Sequence, residues 1–170
     1  MNKTVAIFSS ARANGNTKAL LNSLACGRDI DRIDLADHRV NEYDYLYNNQ
    51  DDDFLELIEK ILSYDKIIFA SPVYWYAVTP TMKKFLDRIT DLLDLPHLLE
   101  QGRRLRGKTA YVVCSSASSE VSTSFIGVWI NIFEYLGMAY GGCLHANCAD
   151  GYQAANHTDE LNHFRRLFSQ

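Results

Sequence analysis

The chain has 170 residues, 47% of them hydrophobic, enough to build one substantial core, and it reads as a single domain over 1–170. The net charge of −4 comes from 17 Lys and Arg scattered among 21 Asp and Glu, which argues against nucleic acid or an anionic membrane as a partner; Arg103, Arg104 and Arg106 read as a solvated loop. No apolar stretch reaches the roughly 18 residues of a membrane span, and the run after Met1 is only strand-length, so the expectation is a cytoplasmic protein.

Val5 to Phe8 is a continuous apolar run, the pattern of a strand buried on both faces. It leads through Ser9, Ser10 and Arg12 into Asn14-Gly15-Asn16-Thr17, after which Leu20, Leu21 and Leu24 fall on one helical face and Gly27 marks a stop. Strand, polar loop and helix start make a place for an oxyanion. The first N–H groups of a helix have no intrahelical partner, and the dipole puts partial positive charge there. Ser10, Asn16 and Thr17 add side-chain donors and Arg12 a formal charge, while Gly15 lets the backbone turn. The same residues also fit an ordinary helix cap by Asn16 or Thr17, and the loop alone leaves both readings open. The GxGxxG and GxxxxGK[ST] phosphate motifs are absent.

Ile30 to Leu35 alternates like a half-exposed strand. A helix from about Asp52 follows, with Phe54, Leu57, Ile58, Ile61 and Leu62 on one face. Asp51 to Asp53 at its start reads as capping and dipole compensation. Lys66 to Ala70 is a buried strand opening into SPVYWYAVTP, where Thr79 caps and Pro80 begins a helix whose inward stripe is Met82, Phe85, Leu86 and Ile89. Lys108 to Cys114 is the fourth strand, ending in the small polar loop Ser115 to Ser119. Phe125 to Leu136 is a helix closed by Gly137, Ala139 to His145 the last strand, and Leu161, Phe164 and Phe168 mark the last helix. Cys26, Cys114, Cys143 and Cys148 form no C-x-x-C and read as buried free thiols, with no metal site expected.

Five alternations of strand and helix predict an α/β fold, an open parallel sheet with helices on both faces. Ligands of such sheets sit outside the carboxyl ends of the strands. Three loops there matter. The first is the polar loop above. The second, Ser71 to Thr79, carries Pro72, Val73, Tyr74, Trp75 and Tyr76, aromatic faces suited either to a flat ring or to packing at a subunit interface. The third supplies the hydroxyls and small residues of Ser115, Ser116, Ala117 and Ser118. Together they outline a phosphate end, a wall for a flat heteroaromatic ring and a polar edge, which is the outline of a flavin mononucleotide.

SSARANGNT followed by SPVYWYAVTPTMKKFLDR resembles the NAD(P)H-dependent FMN reductase and quinone reductase-like branch of the flavodoxin-like superfamily. Its motifs resemble G-S-x-R-x-N-G-N-T and S-P-x-Y-W-x-x-x-P-x-x-x-K-x-F-x-D-R. The resemblance implies a flavodoxin-like three-layer sandwich with a five-stranded parallel sheet in the order 2-1-3-4-5. It implies that Ser9, Ser10, Arg12, Asn14, Asn16 and Thr17 form the FMN phosphate loop. Pro72 to Tyr76 then line the isoalloxazine, and Ser115 to Ser118 approach it from the other side. Ser9 stands where the family has glycine. NAD(P)H is the implied co-substrate, a small electron acceptor the implied partner, and a homodimer or homotetramer the implied assembly.

On this reading hydride passes from NAD(P)H through FMN to a quinone, flavin, azo or nitro compound or metal ion in a ping-pong cycle, with N–H donors of the Pro72 to Tyr76 loop facing the reduced ring. No catalytic side chain is assigned; His145 and Glu120 are candidates for proton handling or for structural roles. The alternative on the same fold is a flavodoxin-type single-electron carrier that binds protein partners, for which the shorter T-x-T-G-x-T loop would be expected. A receiver domain is disfavoured because Phe8-Ser9-Ser10 and Ala70-Ser71 lack the acidic residues it needs.

Overall fold

The computed structural model describes residues 3–168. Five strands, β1 (Thr4–Phe8), β2 (Ile30–Asp34), β3 (Lys66–Pro72), β4 (Thr109–Ser116) and β5 (Ala139–Asn147), form one sheet, parallel throughout and ordered β2-β1-β3-β4-β5. Helices α1 (Asn16–Ala25), α2 (Phe54–Leu62), α3 (Pro80–Arg88), α4 (Asp91–Asp94), α5 (Leu99–Arg103), α6 (Thr123–Leu136) and α7 (Thr158–Phe168) complete the chain. This is the flavodoxin-like order expected from the motifs.

Alternation along the central strands divides the core in two. Val5, Ile7, Ile67, Phe69 and Val112 face the layer of α2, α3 and α6, whereas Ala6, Phe8, Ile68, Ala70 and Val113 face α1 and α7. Both faces of β1 are fully buried, so its uninterrupted apolar run is what two covering layers require. At the start of α3, Thr79 Oγ1 accepts the Met82 N–H at 3.3 Å and Pro80 occupies the first turn. Gly137 ends α6 in the left-handed conformation at φ 71°, as a helix C-terminus favours.

Three expectations need correction. The helix from Pro80 ends at Arg88, before Ile89, the last residue of its expected inward stripe. After Arg88 the chain tightens into i to i−3 bonds (Leu92 N–H to Ile89 O, Leu93 N–H to Thr90 O), and Pro96 then holds Leu95 extended and ends α4. Asp51 to Asp53 is more than a cap. Asp52 Oδ1 accepts the Phe54 N–H at 3.1 Å, but its Oδ2 accepts the Asn41 N–H at 2.7 Å and Arg88 Nη1 at 2.5 Å. Arg88 is buried, its Nε donating to Asp91 Oδ2 at 2.9 Å and its guanidinium lying 4.7 Å from the centre of the Phe54 ring. This pair fastens the long connection between β2 and α2 to α3. Lastly, Cys26 is exposed, because it caps the end of α1 off the helix's buried face; Cys114 is buried and Cys143 and Cys148 are partly buried.

Among the described residues no helix is long and apolar enough to cross a membrane.

Candidate cofactor site

The carboxyl ends of β1, β3, β4 and β5 converge on one edge of the sheet, and the polar loop after β1 lies there. Ser9 turns away from it. Its amide donates to the Ala70 carbonyl at 3.0 Å and its hydroxyl shares a 2.6 Å hydrogen bond with Thr79, so the residue in place of the family's glycine knits β1 to the start of α3. The loop then closes on itself, the Arg12 N–H donating to Ser10 Oγ at 3.2 Å and the Gly15 N–H to the Arg12 carbonyl at 3.2 Å. A Cβ on Gly15 would lie 3.1 Å from the Arg12 Cβ, so a side chain there would push Arg12 aside.

The ordinary cap does not form. Gly15 is the N-cap and has no side chain to offer. Asn14 Oδ1 accepts from Lys18 Nζ at 3.0 Å, Asn16 Oδ1 accepts the Tyr152 N–H at 3.2 Å, and Thr17 Oγ1 shares a 2.6 Å bond with Ser115 Oγ. The N–H groups of Asn16, Thr17 and Lys18 are left without an acceptor among the described residues. Because the Tyr152 N–H can only donate, it fixes the Asn16 amide oxygen on its side and leaves the amide NH2 as a further donor. Free backbone N–H groups at a helix start, with Arg12 and Ser10 beside them, are the donor set a phosphate takes.

The second wall is a two-residue turn. Tyr74 and Ala77 exchange backbone hydrogen bonds at 2.8 and 3.0 Å, and between them Trp75 and Tyr76 both stand at positive φ, 50° and 61°. That is the type I′ geometry for which Asn-Gly is the usual choice, yet two aromatic residues adopt it and remain 95% and 70% exposed. Pro72 has no N–H, the Val73 N–H is given to the Ser115 carbonyl and that of Tyr74 to Ala77. Donors for a ligand in this loop therefore narrow to Trp75 and Tyr76.

The third wall is the end of β4. Ser115 and Ser116 are strand residues, paired with Ala146 and Asn147 of β5, and the loop begins only at Ala117. The three walls enclose a cavity of about 260 Å3. Of the residues expected at the site, Ser10, Arg12, Asn16, Thr17, Pro72, Val73, Tyr74, Ser115, Ser116 and Ala117 line it. Ser9, Asn14, Trp75, Tyr76 and Ser118 do not: Ser9 faces Thr79, Asn14 holds Lys18, Ser118 donates its N–H to Ser116 Oγ, and the two aromatics project from the turn. Gly15 and Cys148 also line the cavity. Cys148 follows β5, whose end reaches the same edge, so the parallel topology itself was the signal for it. Burial raises the Cys148 thiol pKa, which keeps this wall uncharged.

Comparisons with known proteins identify the family. The family of NADPH-dependent FMN reductases matches residues 2–151. YwqN of Bacillus subtilis, carried under the name of an NAD(P)H-dependent FMN-containing oxidoreductase, is 28% identical over 148 residues, 82% of each chain. Among solved structures, the Trp repressor binding protein of Bacillus subtilis superposes with a TM-score of 0.76 at 24% identity over 96% of both chains. An NADPH-quinone reductase from P. pentosaceus gives 0.69 at 16% identity over 98% of this chain and 96% of that one. With a family match over most of its length and a site that fits the family's cofactor, the chain belongs to the NADPH-dependent FMN reductases and is an FMN-dependent NAD(P)H oxidoreductase.

Proposed function

We propose that the FMN phosphate is held by Ser10, Arg12, the Asn16 amide and the free N–H groups of Asn16 to Lys18, and that the isoalloxazine lies along the Pro72 to Tyr76 turn. The observation that carries this assignment is the helix start of α1, left uncapped although three side chains with capping ability, Asn14, Asn16 and Thr17, stand beside it. FMN supplies hydride acceptance from NAD(P)H and delivery to a small acceptor of the quinone or azo type. The chain's own part is placement. Thr17 and Ser115 tie α1 to β4 beneath the phosphate, Val73 is pinned to Ser115, and the Trp75 and Tyr76 N–H groups are left to face charge that develops on the ring. The carrier alternative gains nothing from this site, whose phosphate loop is the long, Arg-bearing form.

The same reading includes a single working domain, a cytoplasmic setting and a homodimer or homotetramer. Between α3 and α6 runs a groove of about 600 Å3 lined by Leu86, Leu93, Val128, Ile132 and Tyr135 and reaching Tyr76 of the turn. Val128 and Tyr135 are exposed, an apolar surface that a second copy would cover while bordering the flavin cleft. Steady NADH or NADPH oxidation with a quinone by FMN-loaded protein tests the activity. Absence of turnover with either nucleotide across a broad acceptor panel would refute it.

A further inference from the structure

Behind the cavity lies a second hydrogen-bonded layer. In the β4–β5 register Cys114 stands beside His145 and Ser116 beside Asn147, so Ser116 and His145 are diagonal neighbours on one face of the sheet. His145 Nε2 is 2.8 Å from Ser116 Oγ, and the Ser118 N–H donates to the same oxygen at 3.2 Å. A serine hydroxyl has two lone pairs and one proton. One lone pair serves Ser118, so the state of Nε2 decides where the proton points. In the neutral Nδ1–H tautomer the Nε2 lone pair takes it; the imidazolium's Nε2 donates instead and releases the hydroxyl proton, and Ser116 lines the cofactor cavity.

We propose that His145 is a positioning residue which makes anion binding in this cavity proton-linked: as the imidazolium it turns the Ser116 hydroxyl into a donor toward the cavity and adds a positive charge behind the same wall. The proposal rests on the assignment of the cavity to FMN and names a regulator of that site.

His145 is partly buried, and on its other side it borders a separate cavity of about 920 Å3. Glu120 from the β4–α6 connection, Asp150 after β5, and Asp159, Glu160 and His163 of α7 line that cavity together with His157. Cys143 lies on its own strand. Burial first, and then the charge of His157, hold the His145 pKa below the ordinary histidine value, so the group is neutral near pH 7. An anion in the cofactor cavity opposes both effects and raises that pKa. By linkage the anion then binds more tightly as pH falls through the pKa of the free protein, and the gain is absent above the pKa of the complex.

The test uses the full chain with FMN as probe, titrated by flavin fluorescence quenching between about pH 5 and pH 7.5 for wild type, His145→Gln and Ser116→Ala. The FMN phosphate itself titrates near pH 6, so the readout is the ratio of affinities between proteins at each pH, in which that titration cancels. The affinity advantage of wild type over His145→Gln is expected to grow about three- to tenfold from the upper to the lower pH, the size of one charge-assisted hydrogen bond, and to shrink in Ser116→Ala. In parallel, NMR titration of the His145 ring is expected to show its pKa raised by FMN and changed by Ser116→Ala in protein without added FMN. Parallel pH profiles for wild type and His145→Gln, or a uniform weakening at every pH, overturn the proposal, as does a His145 titration indifferent to both FMN and Ser116. If His145→Gln melts below the working temperature, His145→Asn and the NMR titration decide instead. Failure of wild type to bind FMN at any pH would overturn the cofactor assignment and the linkage with it, and the NMR comparison of wild type with Ser116→Ala would separately report whether the two residues are coupled.

Discussion

Replacing Trp75-Tyr76 by Asn-Gly is predicted to stabilise the protein while impairing its use of FMN. Both residues hold positive φ, a conformation that costs about 1–2 kcal/mol per non-glycine residue, or about 2–4 kcal/mol for the pair. Asn tolerates the geometry and Gly adopts it freely, although Gly returns about 0.5–1 kcal/mol through its more flexible unfolded chain. Trp75, 95% exposed, has almost no burial to lose, and Tyr76, 70% exposed, loses only the smaller part of its surface that borders the groove between α3 and α6. The net gain is about 2 kcal/mol, which for a domain of this size raises Tm by about 4–8 °C. Calorimetric melts with and without FMN provide the assay, with light scattering used to hold the mass of the two proteins equal. The variant should melt higher without FMN, and its FMN-induced rise should be smaller than the wild-type rise. A lower Tm without FMN would refute the reasoning, since it would mean that the turn stabilises the fold rather than storing strain for the site.

Other expectations follow from single contacts. Arg12→Ala should weaken FMN binding about tenfold with an unchanged melting curve, because Arg12 is exposed, lines the cavity and is assigned here to the phosphate rather than the core; equilibrium titration and thermal melts of the two proteins check the two halves. Arg88→Met should destabilise by about 3–5 kcal/mol, because it strands the buried carboxylates of Asp52 and Asp91; denaturant unfolding measures it, and a loss under about 1 kcal/mol would show that the carboxylates find other partners. Tyr135→Glu should lower the mass of the proposed homo-oligomer by light scattering, since it sets a charge in the apolar groove between α3 and α6.

Much of the fold was legible because its signals are local. The uninterrupted apolar runs of β1 and β3 declare strands covered on both faces, and Thr79-Pro80 announces the start of α3 within two residues. The residues that line the candidate site were legible for the same reason, since the loop after β1 and the aromatic turn each lie in one short segment. What escaped depends on distant partners or on backbone conformation. Asp52 looks like one of three capping acids until Arg88, far along the chain, enters the fold beside it. Nothing in the letters Tyr-Trp-Tyr signals a type I′ turn, whose usual mark is Asn-Gly, so the strain at Trp75 and Tyr76 appears only in the dihedrals. Cys148 and the Tyr152 amide reach the cavity beside the loop after β1 from beyond β5, through topology rather than any motif.

The central claim is that the uncapped start of α1 and its neighbouring walls hold FMN. Its most direct measurement is the visible spectrum of the purified protein after desalting, followed by identification of what heat releases. Flavin absorbance that survives desalting, carried by FMN and restored to stripped protein by added FMN but far less by riboflavin, is the predicted result. Stripped protein that takes up no FMN, or takes up riboflavin equally well, would contradict the assignment of the phosphate to Ser10, Arg12 and the free N–H groups of Asn16 to Lys18.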